Sequence, residues 1–120
     1  WPDSGAIERI IRGWMQVPDR PTAILCATDE MALHTMNVLL SIGLDVPGDV
    51  SVAGIDDVTI SSHGAIRLTS VGQHKYKMGE VATEHLIRMI ENEEARKKPV
   101  RLVFEPELYV RGTTARIVPD

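Results

Sequence analysis

"GDVSVAGIDD", Gly48 to Asp57, is an apolar run that stops on two adjacent carboxylates. Val50, Val52 and Ile55 alternate with small residues, the pattern of a buried strand with a Pro-Gly turn before it and acidic residues after it. Upstream, "TAILCAT" (Thr22 to Thr28) is a second short apolar run, bounded by Pro21 and Asp29. Between the two runs Ala32, Met36, Leu39 and Leu40 recur at helical spacing until Gly43 can close a helix. Strand, helix, turn and strand make a βαβ unit, whose strands are parallel neighbours joined by a right-handed crossover. Their carboxyl ends then share one edge, with Thr28 and Asp29 on one strand and Asp56 and Asp57 on the next. That edge is where open α/β sheets bind ligands.

Oxygen-rich residues on such a rim suit a ligand with many hydroxyl donors, because an ionised carboxylate offers several lone pairs and no competing donor. Structural roles compete with that one. Asp29 precedes a helix and is expected as its N-cap, and one of Asp56 and Asp57 can brace the loop that follows.

Outward from this unit, Asp3 or Ser4 can cap a helix that carries Ile7, Ile10, Ile11 and Trp14 on one stripe and ends at "VPDRP". After an irregular stretch from Ser61 to Arg67 comes a β-like piece, "LTSVGQ". A helix follows from about Tyr76 to Glu91, with Ala82, Leu86, Met89 and Ile90 on one side. "NEEARKKP" reads as a solvated loop, and "VRLVFEPELYVRGTT" as two short strands separated by a bend at Pro106, before a loose tail. No internal repeat or low-complexity segment is present.

Composition narrows the class. With 120 residues and 43% hydrophobic content the chain can bury one core, and a second complete domain is not expected. Thirteen basic residues against seventeen acidic ones give a net charge of −4, and Lys and Arg concentrate only at "ARKKPVR", so no nucleic-acid surface is expected. The single Cys26 lies in an apolar run, which excludes an internal disulfide and favours a buried thiol in a reducing compartment. No stretch is long and apolar enough to cross a membrane, and "WPDSG" has no signal-peptide pattern. A chain that opens on Trp-Pro-Asp without Met is expected to be cut from something longer. His34, His63, His74 and His85 show no metal-ligand spacing, so neither a metal nor a cofactor is expected. Nucleophile elbow, P-loop and dinucleotide fingerprint are all missing, and Cys26 sits mid-strand, a poor place for a thiolate nucleophile.

"RPTAILCATDEMA", "LLSIGLDVPGDVSVAGIDD", "LTSVGQHKYKMGEVA" and "ELYVRGTTA" together resemble, in order and nearly end to end, the C-terminal part of the effector-binding domain of the lactose repressor/galactose repressor (LacI/GalR) family. The resemblance implies a partial periplasmic-binding-protein-like α/β domain of type I, a parallel sheet flanked by helices. Residues 1–72 and 107–116 would form the C-terminal subdomain, and 74–105 a segment of the otherwise missing N-terminal subdomain. It implies a cytoplasmic, homodimeric repressor that senses a small-molecule effector, a sugar, and reaches DNA only through a helix-turn-helix domain absent from this chain.

The same resemblance points to Trp1, Thr28, Asp56 and Gln73 as effector-binding residues, and to Leu33, Asn37, Ser41 and His63 as dimer-interface residues. An aromatic face at Trp1 suits the apolar C–H face of a pyranose. Two departures stand out: His34 occupies a position where the family usually has a small residue, and "AIRLTS" replaces a double proline before the threonines. A periplasmic or receptor sugar-binding protein would share the fold. An α/β enzyme could use twin strand-end carboxylates for acid–base chemistry, although no enzyme activity is expected.

Overall fold

The alternation in Gly48 to Asp57 becomes an inner strand of a four-stranded sheet. The structure, a computed structural model, describes residues 4–116. Strands β1 (Ala23–Leu25), β2 (Ser51–Ile55), β3 (Thr69–Gly72) and β4 (Glu107–Tyr109) lie side by side in that order. β1, β2 and β3 are parallel, with Ile24 opposite Val52 and Ile55 opposite Val71. β4 runs antiparallel to β3, with Gly72 opposite Glu107. The sheet is therefore mixed: the chain leaves at the carboxyl end of β3 and re-enters at that same end, which reverses the last strand.

Helix α2 (Asp29–Ser41) is the crossover between β1 and β2 and packs on β2, while α1 (Ser4–Met15) packs on α2. α2 ends as expected, with Gly43 in a left-handed conformation at φ +82 and the Leu44 amide donating back to the Leu39 carbonyl at 3.1 Å. The core joins Ile11 of α1, Ala32, Val38 and Leu39 of α2, and Ile24, Val50, Val52 and Leu68 of the sheet layer. Burying each of these larger side chains contributes about 1.5–3 kcal/mol. The apolar stripe on α1 is narrower than its spacing implies, because Ile10 and Trp14 remain 48% exposed. Leu40 is likewise exposed on α2.

The end of the chain closes the sheet. Thr113 sits where β2 and β3 part at their amino ends: its hydroxyl donates to the Val52 carbonyl at 2.7 Å and accepts from the Thr69 amide at 2.9 Å. Its carbonyl accepts from the Val52 amide at 2.8 Å. Backbone groups that the short ladders would leave orphaned are satisfied in this way.

The segment between β3 and β4 behaves differently. Helix α3 (Lys75–Glu91) forms as its spacing predicts, yet none of its residues is buried. "NEEARKKP" contains a helical turn, α4 (Glu93–Arg96), capped by the Asn92 side chain. Arg96 folds back to donate to the Met89 and Ile90 carbonyls at 2.6 and 3.0 Å, closing the end of α3. Val100–Phe104, expected as a strand, has no strand pairing among the described residues, since no sheet edge lies beside it. It borders an apolar hollow shared with Met78, Leu86 and Met89 of α3. The molecule measures 62 Å along its long axis and 28 by 25 Å across. No helix among the described residues is long and apolar enough to cross a membrane.

Candidate functional site

Three parallel strands deliver their carboxyl ends to one rim: Thr28 just past β1, Asp56 and Asp57 just past β2, and Gln73 just past β3. At that rim the two aspartates are not equivalent. Both have positive φ, +114 at Asp56 and +46 at Asp57, a region that costs an L-residue about 1 kcal/mol or more. The turn sends the two carboxylates to different partners. Asp57 pairs with Arg111 at 2.5 Å, and Arg111 also donates to the Leu68 carbonyl at 2.8 Å and lies 5.2 Å from the Tyr109 ring centre. Asp57 therefore braces the sheet.

Asp56 faces the open rim. Its amide extends the ladder by donating to the Val71 carbonyl at 2.8 Å, and its carbonyl accepts from the Lys75 ammonium at 2.8 Å. One carboxylate oxygen accepts from the Gln73 side-chain amide at 3.3 Å. Among the described residues no cation forms an ion pair with the Asp56 carboxylate. Gln73 in turn lines a cavity of about 550 Å³ together with Ile55, Val71, Met78, Arg101, Phe104 and Pro106; Asp56 itself is not part of that lining. An apolar wall with a few convergent polar groups at its mouth is the usual composition of a small-molecule site.

Thr28 rather than Asp29 caps α2. Its hydroxyl accepts from the Met31 amide at 3.2 Å, and its own O–H remains available as a donor. Asp29 is wholly buried instead. Its carboxylate accepts from the Ser70 hydroxyl at 2.5 Å, the Ser61 hydroxyl at 2.6 Å and the Val58 amide at 2.9 Å. The expected cap is thus displaced by one residue, because a carboxylate this deep bonds to the sheet and the loop after β2 before it can turn back to its own helix. Glycines make room for it. A Cβ at Gly54 would come within 3.0 Å of the Asp29 Cα and closer still to its carboxylate.

Of the four residues expected to bind effector, Asp56 and Gln73 are in contact and Thr28 stands on the same rim. Trp1 lies outside the described residues, as do Asp3 and the last four residues of the chain. Leu33, Asn37 and Ser41 follow one another at four-residue spacing on α2. Leu33 is half-buried against the core, whereas Asn37 and Ser41 are exposed. The Ser41 hydroxyl donates to the Val38 carbonyl at 2.7 Å and accepts from Arg12 at 3.2 Å. His63 is exposed at the end of a 3₁₀ turn, Thr59–Ser62. Ser61, Ser70, Lys75 and Arg111 were not singled out from sequence. A serine at an interior strand position flanked by Thr69 and Val71 is the one local signal, since a hydroxyl there must find a partner.

For chemistry beyond binding, the rim offers little. Cys26, buried in the sheet layer, shares a 3.5 Å contact with the Thr35 hydroxyl, and burial pushes its thiol pKa up. Among the described residues no three His, Cys, Asp or Glu side chains converge.

Residues 2–114 match the sequence profile of the periplasmic binding protein-like domain. A curated relative, the arabinose metabolism transcriptional repressor of Geobacillus stearothermophilus, is 38% identical over 110 residues. That alignment covers 90% of this chain and 30% of the relative, so the chain spans under a third of that protein's length. Among solved structures, a LacI transcriptional regulator from a Rhodococcus species superposes with a TM-score of 0.80 at 29% identity, over 92% of this chain and 40% of its own. A complex of the transcriptional regulator CelR with cellobiose superposes with a TM-score of 0.78 at 34% identity, over 93% of this chain and 34% of the other.

Proposed function

Because the chain belongs to the periplasmic binding protein-like domain family, in the form carried by LacI/GalR regulators, we propose that it is the ligand-sensing portion of a transcriptional repressor whose effector is a sugar. The observation that carries this reading is the division between two neighbouring carboxylates. Arg111 neutralises Asp57, while the Asp56 carboxylate has no ion-pair partner among the described residues and bonds Gln73, which lines the neighbouring cavity. An acceptor-only group next to an amide that both donates and accepts matches the edge of a polyol, and the apolar wall matches its C–H face. A relative named for arabinose metabolism and a neighbour complexed with cellobiose support a sugar over other small molecules.

The same division argues against an enzyme. Acid–base catalysis by twin carboxylates needs both of them at the substrate, and Asp57 is occupied by its cation. Effector binding by Asp56, Gln73 and Thr28 would shift the balance between closure states of a two-subdomain protein, and so the placement of helix-turn-helix domains in a dimer. Residues 74–105, whose helix buries nothing here, are read as part of the second subdomain. Leu33, Asn37, Ser41 and His63 are read as the dimer surface, and the cytoplasm, where operator DNA is found, as the site of action. The alternative of a periplasmic sugar-binding protein has no observation that favours it.

Titration of the ¹⁵N-labelled chain with L-arabinose and cellobiose, followed by amide correlation spectra, tests the reading. Saturable shifts centred on Asp56, Gln73 and Lys75 are expected with at least one sugar. Spectra that stay unchanged with both, or shifts confined to residues away from the rim, would contradict it.

A further inference from the structure

We infer that Asp29 is the positioning residue of the rim: through the Ser70 hydroxyl it fixes the left-handed backbone at Asp57 and Asp56, and so aims the Asp56 carboxylate. The inference rests on the reading of Asp56 as a ligand group.

Hydrogen-bond polarity gives the relay its direction. The Asp57 amide can only donate, so Ser70 meets it with a lone pair at 3.1 Å and gives the single proton of its hydroxyl to Asp29 at 2.5 Å. The next amide in the chain, that of Val58, donates to the other Asp29 oxygen at 2.9 Å. Two successive amides immediately after Asp56 are thus tied to one carboxylate, one directly and one through a hydroxyl. A backbone that must hold φ of +114 and then +46 without glycine needs such over-determination, since each residue would otherwise relax toward negative φ.

The surrounding chain is cut to fit this arrangement. Gly54, on β2, leaves room for Asp29 to reach the sheet, and a Cβ at Gly72 would stand 3.3 Å from the Asp57 Cβ and closer to the Tyr109 ring. Ser61 provides an internal contrast. It donates to the same carboxylate at 2.6 Å but passes nothing on to Asp57. Loss of either serine removes one bond to Asp29, and only loss of Ser70 also releases the Asp57 amide, leaving the direct bond from the Val58 amide in place.

The test compares Ser70→Ala, Ser61→Ala and Ser70→Thr in the full chain. Two readouts are taken: the three-bond coupling between amide and α protons at Asp56 and Asp57, which reports φ, and affinity for L-arabinose and cellobiose. Ser70→Cys, which keeps the volume while giving up the strong hydroxyl bonds, replaces Ser70→Ala should that variant not fold. Ser70→Ala is expected to change both couplings and to weaken sugar binding on the order of tenfold, the factor that about 1.4 kcal/mol represents. Ser61→Ala should lower stability comparably while leaving couplings and affinity at wild-type values, and Ser70→Thr should restore both. Wild-type couplings at Asp56 and Asp57 in Ser70→Ala or Ser70→Cys would overturn the relay. Couplings that change while affinity holds would leave the relay standing and remove Asp56 from the ligand site.

Discussion

Asp57, just past β2, and Arg111, just past β4, meet at 2.5 Å although 54 residues separate them. Their side chains are 26% and 17% exposed, so water screens the pair less than it would on an open surface. The same guanidinium holds the Leu68 carbonyl and faces the Tyr109 ring. One cation therefore joins the end of β2 to the start of β3 and to β4. The reversed strand stays on the sheet partly for this reason, its own ladder being only three residues long.

Arg111→Met should accordingly lower unfolding free energy by about 1–3 kcal/mol, because it strands a half-buried carboxylate and leaves the Leu68 carbonyl without its donor. Arg111→Lys should fall between, keeping the charge but losing the planar fork that serves two acceptors at once. Urea denaturation of the three proteins measures this. Equal midpoints would mean that the pair contributes nothing to the fold.

Two glycine substitutions should act in opposite directions. Gly54→Ala pushes a methyl into Asp29, on a strand buried under α2, and should destabilise by about 1–3 kcal/mol through overpacking. Gly79→Ala, inside exposed α3 with nothing within 4 Å of the added carbon, should stabilise its helix by roughly 0.5–1 kcal/mol. Thermal unfolding of the first, and helix content by circular dichroism for the second, check both signs.

Cys26 should be chemically silent in the native state. Burial pushes its thiol pKa up, with the Thr35 hydroxyl bond pulling more weakly the other way. A folded pKa above the unfolded one means that the native state binds the proton more tightly. The corresponding stability is whole below the ordinary thiol range and is lost as pH rises toward and through the raised value. A colorimetric disulfide reagent at pH 8 should therefore react only after unfolding in urea, and Cys26→Ala should flatten the alkaline decline in stability. Rapid labelling of the folded protein would contradict the burial.

Local patterns carried the βαβ unit because its signals are short-range: period-two valines through Val52, a helical stripe through Ala32 and Leu39, and punctuation by Pro47 and Gly43. The same local reading fails where a partner decides. Val100–Phe104 has strand composition but no edge to pair with, and the helix with Leu86 and Ile90 forms without a surface to cover it. Propensity pointed to Asp29 as the cap of α2, and the structure has Thr28 there, a residue that is also a good N-cap. The choice was decided by Ser61 and Ser70, which lie 32 and 41 residues from Asp29. At the rim, adjacent carboxylates signalled a site, but which one binds and which one braces depended on Arg111.

Calorimetric titration of the wild-type chain, Asp56→Asn and Asp57→Asn with the sugar that shifts the rim amides tests most directly whether Asp56 is the ligand carboxylate. Asparagine tolerates positive φ, so both substitutions remove charge with little change of backbone. Asp56→Asn should weaken binding by about tenfold, as a charge-assisted bond becomes a neutral one worth roughly 1.5 kcal/mol less. Asp57→Asn should keep wild-type affinity within about threefold, a difference under ~0.7 kcal/mol, while lowering the unfolding temperature. Equal losses of affinity, or a larger loss at Asp57, would contradict the division of roles between the two carboxylates.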